Sequence, residues 1–240
     1  VGAFSFKQTV KWLKKHKKKE DTIKSTKAAV LENDLKTAHL LVIPGGQDVY
    51  YHKALSPKHT LLIKKFVEQG GRYLGICAGG YFGAHAIEFE KGHPYEVIAN
   101  RDLQFFPKKA VGSALGLGKY RPDGFYGADI ATIITKDQVL DIFFLGGCYF
   151  EKTDDPNVEV IAKYEHGEDA VVKCQVSKGV ALLSGVHFEY SADDLKKHFE
   201  HLYKELKEPF IAFACAKIEQ LKRSEAKKEH FFDRLLDELR

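Results

Sequence analysis

The chain has 240 residues, 37 Lys and Arg against 33 Asp and Glu, 44% hydrophobic and 29% charged residues, and a formal net charge of +4. That length and balance fit one large α/β domain and exclude a disordered or low-complexity chain. A small charge excess makes no nucleic-acid binder, the lack of any apolar run of about 18 residues excludes a transmembrane helix, and four cysteines without a C-x-x-C spacing form neither a zinc site nor a disulfide framework.

The first predicted element is an amphipathic helix over residues 7–18, with Val10, Trp12 and Leu13 turned inward. Its end carries the basic run Lys14-Lys15-His16-Lys17-Lys18-Lys19. This is read as a solvated helix end in preference to a nucleic-acid footprint. A domain of this type normally starts with a strand, and none precedes the helix. The chain also holds no methionine. The expectation is a segment ahead of Val1, or methionines missing from the sequence, and the compartment is read as cytoplasmic.

Residues 22–37 are too polar to assign. Residues 40–44 form an apolar strand that ends in Pro44-Gly45-Gly46. Residues 57–69 form a helix with Pro57 in its first turn, Leu61, Leu62, Phe66 and Val67 on one face, and Gly70-Gly71 ending it. A strand over 73–77 and a helix over 80–86 complete a parallel, right-handed βαβ unit.

From 95 to 150 the pattern becomes strand-rich, with short candidates at 97–99, 130–135 and 142–144 between the glycine-rich loops 112–118 and 122–127. The first of these loops lacks G-K-[ST] and a following helix, so it carries no nucleotide-binding expectation. Strands follow at 159–163, 170–176 and 180–184, the last two joined by a turn at 177–179. Residues 192–240 are helical. Pro209 starts a second helix there, with Phe210, Phe213, Lys217, Leu221, Phe231, Leu235, Leu236 and Leu239 as its apolar or amphipathic positions.

The segment Gly75-Ile76-Cys77-Ala78-Gly79-Gly80 carries the most chemistry. It is a cysteine form of the G-x-S-x-G nucleophile elbow, placed between a strand and a helix. A nucleophile on a tight, strained turn needs neighbours of little bulk, and a thiol at a helix start sits in a potential that favours thiolate. The competing reading is a buried cysteine in a glycine-rich turn. Downstream, the strand at 180–184 runs into Val186-His187-Phe188-Glu189. Residues i and i+2 on extended backbone point the same way, so His187 and Glu189 can face one site as base and orienter. Taken singly, His187 reads as a polar residue after a strand and Glu189 as an acid before a helix. Cys174 and Cys215 read as core residues, and Cys148 as a residue that can line the site.

In this order, strand-PGG, strand-GICAGG and strand-GVHFE, the chain resembles the class I glutamine amidotransferase superfamily. It is more similar still to the amidotransferase-like domain at the N-terminus of eukaryotic biotin-protein ligases, which also occurs free-standing in bacteria. The likeness includes PGGQDVYYHKAL, FVEQGGRYLGICAGGYFGA, LQFFPKKAVG and FFLGGCYFE, and spans about 40–190. Phe188 stands in place of the usual proline and Lys108-Lys109 where glycine is common, and neither change removes a catalytic group.

The resemblance implies one flavodoxin-like α/β domain over 1–240, with a mostly parallel sheet, helices on both faces, the insertion at 95–150 and the helical segment at 192–240. It implies acyl transfer on a small-molecule amide, glutamine being one candidate. Cys77, His187 and Glu189 would be catalytic, and the Gly46 and Ala78 N–H groups would form an oxyanion hole. No cofactor or metal is implied, no membrane or nucleic acid, and the partner would be a separate acceptor protein or a biotin ligase. Two alternatives stand beside this reading. One is a non-enzymatic regulatory or binding module related to biotin-protein ligase. The weaker one is a peptidase: the related peptidase and deglycase branch has His directly after the Cys, where this chain has Ala78, but another peptidase branch uses serine in a similar elbow.

Overall fold

A computed structural model describes residues 3–55, 57–122, 126–202 and 208–240. In chain order the elements are α1 (Ala3–His16), a 3-10 turn (Ala28–Val30), α2 (Leu31–Leu35), β1 (Leu40–Ile43), α3 (Asp48–Leu55), α4 (Lys58–Glu68), β2 (Arg72–Ile76), α5 (Ala78–Gly83), β3 (Ala84–Phe89), β4 (Val97–Asn100) and β5 (Phe106–Gly112). They continue with β6 (Ala128–Thr135), β7 (Val139–Leu145), β8 (Cys148–Phe150), β9 (Val158–Tyr164), β10 (Asp169–Val176), β11 (Gly179–Ser184), α6 (Ala192–Leu202) and α7 (Glu208–Glu238).

The strands form one sheet in the order β1-β2-β11-β10-β8-β5-β3-β4. A second branch leaves β10 through β9 and β6 to β7. The pairs β1–β2 and β2–β11, which carry the site, are parallel, as is β3–β5. The other pairs, including β10–β11 and the whole β9–β6–β7 branch, are antiparallel. The sheet is therefore mixed, and the mostly parallel arrangement expected from the sequence describes the strands around the site. The antiparallel excess comes from the strand-rich insertion and from the tight turn before β11, which two-residue hairpin geometry permits and a parallel crossover does not. The second branch curls back until Phe143 of β7 bridges to His187, whose N–H donates to the Phe143 carbonyl at 2.9 Å.

Helices cover both faces, so the central strands bury both sets of alternating side chains. Tyr73, Ala181, Leu183, Val172 and Cys174 pack with α3, α4 and α5. Their neighbours Leu74, Leu182 and Val171 pack with Trp12 of α1 and with Phe231, Phe232, Leu235 and Leu236 of α7. A third cluster joins Phe143 and Tyr190 to Leu195, Phe199, Ile218 and Leu221.

Helix α4 ends as its glycines predict. Gly70 adopts φ +115°, its N–H reaches Val67 O, and the Gly71 N–H reaches Phe66 O, the paired bonds of a Schellman ending. Its buried face is Thr60, Ile63 and Val67, whereas Leu61 is exposed, a rotation of the face read from the sequence. The helix after the elbow stops at Gly83, and residues 84–89 form β3 instead of continuing it. Three glycines in six residues make a poor helix, and the alternating His85-Ala86-Ile87-Glu88-Phe89 suits a strand. Helices α6 and α7 account for the helical C-terminal segment. Phe210 and Phe213 lie outside the described side chains. Cys215 is exposed rather than in the core, because it falls on the solvent side of α7 between buried Ala214 and Ile218. The basic run at the end of α1 meets acids of α7: Lys15 pairs with Glu229 at 2.7 Å and Lys18 with Asp237 at 3.0 Å.

Candidate active site

Cys77 sits between β2 and α5 with φ 50° and ψ −102°. A non-glycine residue seldom occupies this region, and the strain persists only where surrounding structure fixes it. Here the Cys77 N–H donates to Ser184 O of β11 at 2.7 Å, and its carbonyl accepts from the Tyr81 N–H at 3.0 Å. The next turn lies hard against β1. A Cβ added at Gly79 would stand 2.1 Å from the Ile43 carbonyl oxygen, so only glycine allows this approach.

His187 and Glu189 follow β11. Both are buried, and the imidazole Nδ1–H donates to Glu189 Oε1 at 2.8 Å. That leaves Nε2 for Cys77, which is also a hydrogen-bonding neighbour of the ring. Burial by itself pushes the imidazole down. The Glu189 carboxylate and the Cys77 sulfur outweigh it and raise His187 to about 10, because a desolvated imidazolium flanked by negative groups gains more from them than it loses from hydration. The Cys77 Sγ also lies 3.6 Å from Leu145 O, at the end of β7.

The Pro44-Gly45-Gly46 turn closes the other side. A Cβ at Gly45 would be 2.5 Å from His187 Cε1 and 2.7 Å from Ser5 Oγ, so the ring lies directly on this turn. The Tyr51 hydroxyl donates to Pro44 O at 3.0 Å and fixes it from α3. Gly46 adopts φ 145°, and Ala78 is the first residue of α5, where backbone N–H groups have no helical partner. Gly46, Cys77 and Ala78 together line a cavity of about 240 Å³. The structure thus brings all five residues singled out from the sequence into one place. A larger cavity of about 380 Å³, between β6, β7, α6 and α7, contains none of them.

Several contributors escaped the sequence reading. Helix α1 buries Ser5, Gln8 and Thr9 beside Trp12, which was read as inward; the stripe is spaced i, i+3, i+4, i+7 and is mostly polar. Ser5 donates to Glu189 Oε1 at 3.4 Å. A search for apolar periodicity passes over such a face, although its spacing is helical. Asp48 at the start of α3 accepts from Arg101 Nε at 2.6 Å in a buried ion pair, a partnership across 53 positions that no local pattern reveals. Cys148 does not line the cavity. It lies fully buried in the core, and burial pushes its thiol well up. Glu90 Oε2 accepts from the Gly118 N–H at 2.5 Å, so the glycine-rich loop already holds an anion of its own. Among the described residues no group of three or more His, Cys, Asp or Glu is arranged to hold a metal ion, and no helix is long and apolar enough to cross a membrane.

Parallel strands ending in a cysteine elbow, a glycine turn and a His-x-Glu segment place the chain in the class I glutamine amidotransferase-like fold. A glutamine amidotransferase from Thermotoga maritima shares this fold with a TM-score of 0.55 at 15% identity, over 92% of this chain and 83% of that one. The chain belongs to the biotin-protein ligase N-terminal family, whose model matches residues 1–240. It is 34% identical over 204 residues to an uncharacterized protein of Chlamydia muridarum, covering 79% of this chain and 77% of that protein. It is also 36% identical over 165 residues to the biotin–protein ligase of Schizosaccharomyces pombe, covering 64% of this chain but 26% of the ligase.

Proposed function

We propose that this domain is an amidotransferase-like hydrolase that uses Cys77, His187 and Glu189 for acyl transfer from a carboxamide. The observation that carries the reading is the strained Cys77 turn, which faces a cavity on one side and the buried His187–Glu189 pair on the other. In the first half-reaction the Cys77 thiolate attacks the carbonyl carbon and a C–S bond forms. The oxyanion accepts from the Ala78 and Gly46 N–H groups, each such donor contributing about 3–4 kcal/mol in the transition state. His187 then gives its Nε2 proton to the leaving nitrogen, the C–N bond breaks, and an amine or ammonia departs. In the second half-reaction water attacks the thioester and His187 takes its proton. The C–S bond breaks, which releases the acid and restores the thiolate. Glu189 holds the imidazole in the required tautomer throughout.

The test is hydrolysis of a neutral activated amide by wild type, Cys77→Ala and His187→Ala, with thermal melts as a folding control. Cys77→Ala should leave no turnover, and His187→Ala should lose about 10²–10⁴-fold while its melt, though lowered, still shows a cooperative fold. Equal rates in all three proteins would sink the assignment. Family membership favours a second reading, a binding module that acts beside a biotin ligase. An inactive wild type that nevertheless forms a stable complex with such a ligase would select it.

A further inference from the structure

The cavity beside Cys77 has a lining that says what kind of molecule it accepts. Tyr81, Phe89, Tyr95 and Tyr120 all face it. Successive rings stand nearly perpendicular: Tyr81 to Phe89 at 5.7 Å and 83°, Phe89 to Tyr120 at 5.1 Å and 79°, Tyr95 to Tyr120 at 6.2 Å and 88°. Rings arranged this way enclose a corner and do not stack flat. An aromatic corner attracts cations through the ring quadrupoles.

The charges of the wall point the same way. Asp48 and Glu96 line the cavity, and none of its described lining residues is Lys, Arg or His. Asp48 is already matched by Arg101, whereas Glu96 accepts from the Gly92 N–H at 2.6 Å and forms no ion pair among the described residues, which leaves its charge at the wall without a cation. An incoming carboxylate would meet aromatic rings and negative charge with no side-chain cation among the described lining residues to receive it, and an unpaired buried charge is costly. Free glutamine carries such a carboxylate.

We propose that the substrate is a small amide whose non-reacting end carries an ammonium or alkylammonium group and no carboxylate, so that the cation rests in the corner of Tyr95, Phe89 and Tyr120 while the carbonyl lies at Cys77. This rests on the acyl-transfer reading for the identity of the reacting end, but the cation preference can be measured without it.

Calorimetric titration of the wild-type protein with benzyltrimethylammonium, benzamide and phenylacetate separates charge from ring shape. The expected order is cation first, neutral amide second and carboxylate last, with the cation at least tenfold tighter than the carboxylate. Tyr120→Leu should weaken the cation by about 3- to 30-fold and leave benzamide within a factor of about three, because only the cation depends strongly on the ring quadrupole. Phenylacetate or free glutamine binding as tightly as benzyltrimethylammonium, or a Tyr120→Leu protein with unchanged cation affinity, overturns the proposal. Alkylation of Cys77 by iodoacetamide, measured on the same samples, reports on the nucleophile separately. An unreactive Cys77 with intact cation selectivity removes the acyl-transfer reading and keeps the cation site.

Discussion

Two cysteines buried to nearly the same degree, Cys77 at 4% and Cys174 at 1% exposure, sit on strands of one sheet in opposite chemical settings. Cys174 lies mid-strand in β10, paired across to Ala181, its side chain among apolar neighbours. Burial pushes its thiol from 9.0 up to about 12. Cys77 lies one residue beyond the end of β2, where the backbone turns sharply and an imidazole with its own carboxylate stands beside the sulfur. The difference teaches that burial alone makes a thiol inert. Cys77 also borders an apolar cluster, so what sets it apart is its place at a strand end, where a helix start and a second strand end bring polar groups to the sulfur.

The largest effect expected from this contrast is in alkylation. A thiol moved from 9.0 to about 12 carries about a thousandth of the thiolate of an ordinary one. In the native protein at neutral pH, iodoacetamide should therefore label Cys77 well ahead of Cys174, read by peptide mass spectrometry at early times. Comparable rates would erase the distinction and with it the nucleophile assignment.

Substitution of Glu189 sharpens the comparison by degrading the Cys77 setting without removing it. Glu189→Gln keeps a hydrogen-bond acceptor for Nδ1 but withdraws the charge that raises His187. Burial then dominates and the imidazole pKa falls, by about 1–3 units for loss of a close opposite charge. The alkaline limb of the rate profile, which follows loss of the His187 proton, should move to lower pH. Above about pH 10 turnover should fall about 10- to 10³-fold, tenfold per unit, whereas at neutral pH at least about half of the imidazole keeps its proton and the loss is small. The same raised pKa stabilises the fold: that contribution is complete below about 6.5 and is lost as pH rises through about 10. A Glu189→Gln protein with an unmoved alkaline limb would show that the carboxylate does not set the imidazole.

How much of this was legible in the sequence follows from range. The elbow was readable because its chemistry demands small residues next to one another, and His187 with Glu189 because a period of two places both on one side. Strands β1, β2, β10 and β11 were readable because their apolar runs are bounded by glycine turns. Helix α3 was missed: Asp48 and Tyr51 follow the Pro-Gly-Gly turn so closely that Asp48–Leu55 reads as loop, although Tyr51 anchors that turn. Ser5 was missed because its partner lies 184 positions away. Strand β3 was missed because it follows α5 with no turn between them, and β5 because it gains its place from β3 and β8.

Gly79→Ala tests the backbone side of the Cys77 setting. The added methyl would press on the Ile43 carbonyl, a main-chain group that cannot swing aside. Overpacking of this kind costs about 1–3 kcal/mol, and a backbone clash belongs at the upper end. Chemical denaturation should show a drop of about 3 kcal/mol, together with slower labelling of Cys77, because α5 must lift away from β1 and carry the elbow with it. Lost stability with unchanged labelling would mean that the elbow keeps its geometry without this contact.

Cys174→Ala should have the smallest effect, and it works on the other half of the comparison. The side chain lies in the apolar core, so its removal leaves a gap about the size of one sulfur atom. The surrounding strands are held on both edges, by β11 and by β9, so they relax little into that gap. A cost of about 1 kcal/mol is expected, below that of removing a whole leucine side chain because fewer atoms are lost. The labelling rate of Cys77 should not change, since the two thiols lie on different strands and Cys174 is not among the groups that act on His187. If Cys77 labelling fell along with stability, the inert cysteine would be supporting the reactive one through the sheet, and the two settings would not be independent.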